Sequence, residues 1–178
     1  MTDSTIRPAR PADTDAIKQL ALDNGMFEPD ELGAFDEMLA GFFDGSLDDH
    51  HWLVVDRGAA GKPADNETAD NETAAIDAAA YYAPEPFADR MWNLYFIATA
   101  PDRHGTGAGT HLIEHIEAEL IALGEERART LIVDTSGLDG YEQARAFYAA
   151  RGFVQEATIR EFYGPGDHKV TFWKRLTD

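Results

Sequence analysis

Apolar residues recur along this chain at two spacings, every second residue or every third to fourth, and the changes between them outline its elements. Thr5 to Arg7 makes a short first strand ahead of Pro8 and Pro11. Ile17, Leu20 and Ala21 share one face of a helix that Asp13 or Thr14 caps and Asn24-Gly25 ends. A second helix starts near Glu28-Pro29-Asp30, carries Leu32, Phe35, Met38, Leu39, Phe42 and Phe43, and stops at Asp44-Gly45. His51 to Val55 and Ile76 to Ala83 read as strands, the second closed by Pro84 and Pro86. Between them, residues 58–73 write Ala-Asp-Asn-Glu-Thr twice with nothing apolar larger than Ala, so a mobile acidic loop insertion is expected there. Its two Asn-x-Thr sites should stay bare in a chain without a signal sequence.

The second half is more regular. Leu94 to Thr99 is an apolar run with the length and aromatic content of a buried strand. Leu112, Ile113, Ile116, Leu120 and Leu123 then recur at helical spacing. Arg129 to Asp134 is a fifth strand, Tyr141 to Arg151 a helix ended by Gly152, and Phe153 to Phe162 with Lys169 to Leu176 a terminal hairpin around Gly164–Asp167. The order β-α-α-β-β-β-α-β-α-β-β predicts one α/β domain over residues 1–178, a mixed sheet with helices on both faces, parallel where helices cross over between the later strands.

Between the Leu94–Thr99 strand and the helix after it lies Gly105-Thr106-Gly107-Ala108-Gly109, approached through Pro101. A strand running through glycines into a helix presents free backbone N–H groups and the positive end of a helix dipole, which is a seat for phosphate. Spacing decides which phosphate. A P-loop needs G-x-x-x-x-G-K-S/T, and no Lys or second Gly stands at that distance. A dinucleotide fingerprint needs a third glycine at position 110, which is Thr110.

Composition narrows the class further. Asp and Glu total 33 against 15 Lys and Arg, a formal charge of −18. That sign repels nucleic acid and anionic lipid, so neither is an expected partner. It suits a basic partner or a polyamine substrate; its even spread, with eleven Arg and only four Lys, suits a salty cytoplasm better. No run of 18 apolar residues suggests a membrane span, and the polar start MTDSTIRPARPADTD carries no secretory signal, so a cytoplasmic protein is expected. With no cysteine there is no disulfide framework, thiolate metal site or thiol nucleophile. His111-x-x-Glu114-His115 spells a zinc-peptidase motif, but both histidines fall opposite the apolar stripe of their helix, and no metal is expected.

The segment Pro101 to Thr110, with Gly107 and Gly109 following a strand marked by Ile97 and Thr99, resembles the acyl-CoA loop of the GNAT superfamily of N-acetyltransferases. Ala144, Phe147, Tyr148, Gly152 and Phe153 are similar to that superfamily's A-x-x-F-Y-x-x-x-G-F helix and exit, and the element order is also its order. The resemblance implies a mostly antiparallel sheet with a central splayed parallel pair, and acetyl-CoA as co-substrate. The backbone of Ile97, Ala98 and Thr99 would bind the pantetheine arm. The N–H groups of His104, Gly105, Thr106, Gly107, Ala108, Gly109 and Thr110 would hold the pyrophosphate. An amine would attack the thioester directly, an N–H near Ala98 would stabilise the oxyanion, and Tyr148 would protonate the leaving thiolate. By periodicity alone Tyr148 is a core aromatic beside Phe147.

The chain departs from the superfamily's pattern at three positions. His104 stands where the pattern has Arg or Gln, Tyr141 where many members have Asn, and Asn93 where some place a carboxylate base. Asp134, Tyr163 and Asp167 remain as loose candidates for the base. The expected acceptor is a small-molecule primary amine, with the Phe- and acid-rich segment Glu28 to Asp49 walling its site. A protein or peptide N-acetyltransferase and a non-catalytic acyl-CoA sensor are the other readings; the oligomeric state is open, a homodimer included.

Overall fold

The computed structural model describes residues 5–57 and 75–177; the tandem acidic repeat and its Asn-x-Thr sites lie outside them. The elements, in chain order, are β1 (Ile6–Pro8), α1 (Thr14–Asp23), α2 (Gly33–Phe43), β2 (His51–Asp56), β3 (Ile76–Pro84), β4 (Met91–Thr99), α3 (Ala108–Ala122), β5 (Thr130–Ser136), α4 (Glu142–Ala149), β6 (Val154–Gly164) and β7 (Asp167–Arg175). They build a mixed seven-stranded sheet in the order β1-β2-β3-β4-β5-β7-β6. β4 and β5 are the parallel pair, in register from Met91↔Thr130 to Leu94↔Val133, with α3 as the crossover between them. β7 is antiparallel to β5 from Thr130↔Arg175 to Ser136↔Lys169, and antiparallel to β6. Among the described residues no helix is long and apolar enough to cross a membrane.

The chain divides into two compact units, with boundaries within β3 after Tyr81, within β4 after Tyr95 and within α3 after His115. The first comprises the described residues up to Tyr81 with Phe96–His115. Trp52, Leu53, Val54 and Val55 of β2 are buried in succession, as is every residue of β3 in this unit, so both faces of these strands are covered. Trp52 stacks on Tyr81 with ring centres 4.7 Å apart and meets Phe35 at 5.8 Å and Phe96 at 5.7 Å. Burying a side chain of this size contributes about 2–3 kcal/mol, and Ile17, Leu20, Leu32 and Leu39 close the same core.

Two helix starts differ from expectation. Pro29–Glu31 forms its own tight turn, in which Glu28 N donates to the Glu31 carboxylate over 2.8 Å, and α2 begins only at Gly33. Asp13 stands before α1, but its side chain does not cap the helix. It is 1% exposed and accepts instead from Arg7 Nη1 at 2.7 Å, Arg7 Nη2 at 2.9 Å and Arg10 N at 2.7 Å. A buried carboxylate gains more from a guanidinium and an amide than from one helix-end N–H.

The second unit comprises Tyr82–Tyr95 and the described residues from Ile116 onward. Leu94, Leu131, Val133, Phe153, Val170 and Phe172 form its core, with Tyr148 of α4 packed at 6.1 Å from Phe153 and 5.7 Å from Phe172. α4 is shorter than its periodicity suggests. Gly152 adopts a positive φ of 81°, and the N–H groups of Gly152 and Phe153 fold back onto Ala149 O and Tyr148 O.

Candidate functional site

The glycine-rich turn is fastened before it begins. Asp77 of β3, 1% exposed, accepts from Arg57 Nε and Arg103 Nη2, each over 2.9 Å, and its carbonyl accepts from Ala100 N at 2.8 Å. Arg57 also reaches Asp102 over 2.9 Å. A buried carboxylate thus holds the single tight turn Pro101–Arg103 that leads off β4. Compensating that charge takes both guanidinium groups, so Arg103 is committed to structure.

Gly105 and Gly107 follow, with φ of +77° and +95°, a region that side chains with a Cβ rarely occupy. A Cβ on Gly107 would meet nothing nearer than the His111 ring at 3.9 Å, so its conformation, not crowding, calls for glycine. Thr106 N and Oγ1 both turn inward onto Arg103 O, at 3.3 and 2.7 Å, and His104 N donates to Pro101 O at 3.4 Å. The first bond of α3 runs from His111 N to Gly107 O. Among the described residues, the N–H groups of Gly105, Gly107, Ala108 and Gly109 have no acceptor. Four amides at the positive end of a fifteen-residue helix can hold an anion as extended as a pyrophosphate.

His104 does not replace the expected Arg or Gln. Its Nε2 lies 3.0 Å from Thr99 O, which also accepts from Asn24 Nδ2 at 3.1 Å. The ring is therefore folded onto the end of β4. Ala98 is buried, and Ile97 and Thr99 are half-buried.

A second feature is a cavity of about 280 Å³ within the second unit. In its lining, Glu85 Oε2 accepts from Asn93 Nδ2 at 2.8 Å and from Tyr95 Oη at 2.9 Å. The lining also holds Asp134, whose Oδ1 accepts from Thr171 Oγ1 at 2.5 Å and whose Oδ2 lies 3.1 Å from Lys169 Nζ. Lys169 sits 4.1 Å from the centre of the Phe162 ring, and Tyr163 completes the lining. Burial and the neighbouring Asp134, Asp167 and Tyr141 push the Tyr163 phenol up to about 12.

Tyr148 is 6% exposed among Phe147, Phe153 and Phe172. Burial, with Tyr163 nearby, moves its phenol well above the usual range, so it keeps its proton at neutral pH. It is thus a core aromatic by packing and a held proton by chemistry.

Of the loose carboxylate candidates, Asp134 is taken by Lys169 and Thr171, and Asp167 accepts from Ser136 Oγ at 2.5 Å. In the segment Glu28 to Asp49, Phe35 and Leu39 are core residues, 2% and 1% exposed. Glu85 escaped sequence reading because Pro84-Glu85-Pro86 registers only as the end of a strand. Its one signal was indirect: a buried Asn on β4 needs partners, and Glu85 is one.

A sequence profile of the acetyltransferase (GNAT) domain matches residues 48–155. No curated protein sequence matches the chain. Among solved structures, a Desulfovibrio desulfuricans protein assigned to the GNAT family of acetyltransferases is 25% identical, with a TM-score of 0.79 over 98% of this chain and 99% of that one. The ribosomal-protein-S18-alanine N-acetyltransferase of Escherichia coli is 17% identical, with a TM-score of 0.72 over 98% and 95%. A Salmonella typhimurium protein solved with its cofactor acetyl-CoA is 16% identical, with a TM-score of 0.70 over the same shares. The last two speak for the fold; the profile, spanning more than half of the residues and including the β4–glycine–α3 stretch, speaks for the family, and the chain belongs to the acetyl-CoA-dependent GNAT acetyltransferases.

Proposed function

We propose that this enzyme transfers an acetyl group from acetyl-CoA to a primary amine of a small molecule, by direct attack within a ternary complex. The observation that carries the acceptor class is the cavity of about 280 Å³, lined by carboxylates and aromatic rings, a size suited to a small amine. For the cofactor, the support is the set of acceptor-free amides from Gly105 to Gly109, which would take the pyrophosphate. The pantetheine arm would run along the backbone of Ile97, Ala98 and Thr99. Thr99 O already takes two donors, so the arm's hydrogen bonds fall mainly to Ile97 and Ala98.

In the reaction, the amine lone pair attacks the thioester carbon, the N–C bond forms, and the carbonyl electrons move onto oxygen. A backbone N–H near Ala98 stabilises that oxyanion. Collapse breaks the C–S bond, and the leaving thiolate takes the Tyr148 proton. The nitrogen sheds its extra proton to give the amide, and that proton returns through solvent to restore the Tyr148 phenol. Tyr148 is protonated at neutral pH and so has a proton to give; burial makes its phenol a weaker acid, so the proton passes only as negative charge builds on the departing sulfur.

The test is release of CoA thiol across a panel of small primary amines and N-terminal peptides, at low and high salt. Turnover of small amines with intersecting initial-velocity lines supports the proposal. Turnover of peptides alone moves the acceptor to the protein class. Acetyl-CoA binding without thiol release on any acceptor makes the protein a sensor.

A further inference from the structure

We infer that Glu85 and Asn93 form the seat of the acceptor's ammonium group, that Glu85 takes its proton, and that the acceptor is a primary amine carrying one positive charge. The inference rests on the acetyl-transfer reading for the proton step, and on the cavity alone for the binding step.

The cavity holds two carboxylates with opposite situations. Asp134 is neutralised by Lys169 at 3.1 Å and bonded by Thr171, and Lys169 is itself held over the Phe162 ring. Glu85 receives only neutral donors, the Asn93 amide and the Tyr95 hydroxyl, both on Oε2. Among the described residues its Oε1 accepts nothing, and no cation pairs with it. It is the uncompensated anion of the cavity. Two bonds on one oxygen fix the carboxylate plane and leave the other oxygen to a ligand.

Asn93 adds an independent mark. It is 4% exposed, and its Oδ1 is buried with no donor among the described residues. Leaving a buried carbonyl orphaned is unfavourable, and an ammonium beside Glu85 would offer the missing N–H. Glu85 Oε1 and Asn93 Oδ1 are two acceptors for one three-donor group, while Tyr95 and Tyr163 supply ring surface for its carbon chain. Lys169 and Asp134 cancel each other's charge, so Glu85 leaves the lining with one net negative charge, which sets the charge of the acceptor at one.

The proton balance is simple. An ammonium has no lone pair, so attack needs its proton removed first. The N–H bond breaks toward Glu85 Oε1, the carboxylate becomes a carboxylic acid, and the freed pair forms the N–C bond. Glu85 releases the proton to solvent after each turnover. Asn93 on β4 aims a carboxylate delivered from the β3–β4 turn.

The experiment compares wild type with Glu85→Gln and Glu85→Asp, using acetyl-CoA and a small monoamine that wild type acetylates, with kcat/KM measured from pH 6 to 10. Glu85→Gln should lose about 10²-fold at pH 7, the deficit shrinking at high pH where the amine is already neutral, with Glu85→Asp recovering part of the loss. Acetyl-CoA affinity by calorimetry should stay within twofold. An unchanged pH profile, or a loss shared by acetyl-CoA binding, would overturn the assignment. A diamine preferred over the monoamine of equal length would overturn the single-charge part. If wild type acetylates no amine, the acetyl-transfer reading fails and the seat is judged by calorimetry alone. Monoamine binding at least tenfold weaker in Glu85→Gln, with the isosteric alcohol bound alike by both, supports it; equal amine binding removes it.

Discussion

The Asn93 side-chain amide donates to Glu85 over 2.8 Å, joining the turn-proximal part of β4 to the turn that precedes it. An amide cannot accept a proton at this pH, yet it can fix the group that does. Asn93→Leu keeps the volume and the burial and removes the donor. The expected result is a drop of about tenfold in kcat/KM for the amine, with acetyl-CoA affinity unchanged by calorimetry, because Glu85 retains only its bond from Tyr95.

Tyr148→Phe tests the donor of the last proton. The ring packing against Phe153 and Phe172 is preserved, so the fold should hold. Turnover should fall by about 10²- to 10⁴-fold with little change in acetyl-CoA affinity. Burial raises the Tyr148 phenol, and the acid form is the active one, so wild-type kcat should show no alkaline fall from this residue below about pH 10. Equal turnover in the variant would leave Tyr148 a purely structural aromatic.

Gly107→Asp places a charged side chain where φ is +95° and where the free amides gather. Calorimetry should register no acetyl-CoA binding. Gly107→Ala separates strain from charge: it should cost about 1–2 kcal/mol of stability and retain measurable binding. Unchanged affinity in the Asp variant would dissociate the turn from the cofactor.

Asp13 governs part of the acid stability. Burial works to raise its carboxyl, but the hydrogen bonds from Arg7 and the Arg10 amide outweigh that and hold it below the usual carboxylate value. The folded state therefore binds this proton less readily than the unfolded chain. The contribution is complete above about pH 4, the ordinary value, and is lost as pH falls through the folded value. Asp13→Asn should lower stability at pH 7 by about 1–3 kcal/mol. Urea midpoints at pH 7 and pH 3 should show the gap from wild type narrowing in acid.

Much of this protein was legible in its residues because the informative signals are local. Strand and helix periodicities need only a dozen neighbouring residues, and among the described residues they placed the β-strands and α-helices with shifts of a few residues at the ends. The β4–glycine–α3 stretch is likewise contiguous, so Gly105, Gly107 and the head of α3 could be read as an anion seat without the fold. Where two local solutions compete, the pattern is silent. Asp13 could cap α1 or pair with Arg7, and burial beside a guanidinium decides for the pair.

By itself, then, the sequence determined the order of elements, the family resemblance and the phosphate-binding turn, since each is a matter of spacing along the chain. Tertiary structure decided which polar groups are spent and which are left over. Asp134 is charge-paired because β7 brings Lys169 and Thr171 to it, and Arg103 was claimed by Asp77 across 26 positions of chain. Glu85 emerged as the uncompensated carboxylate because Asn93 and Tyr95, on the next strand, hold one of its oxygens and bring it no charge. Such differences arise from distances in space between residues far apart in sequence, and no periodicity records them.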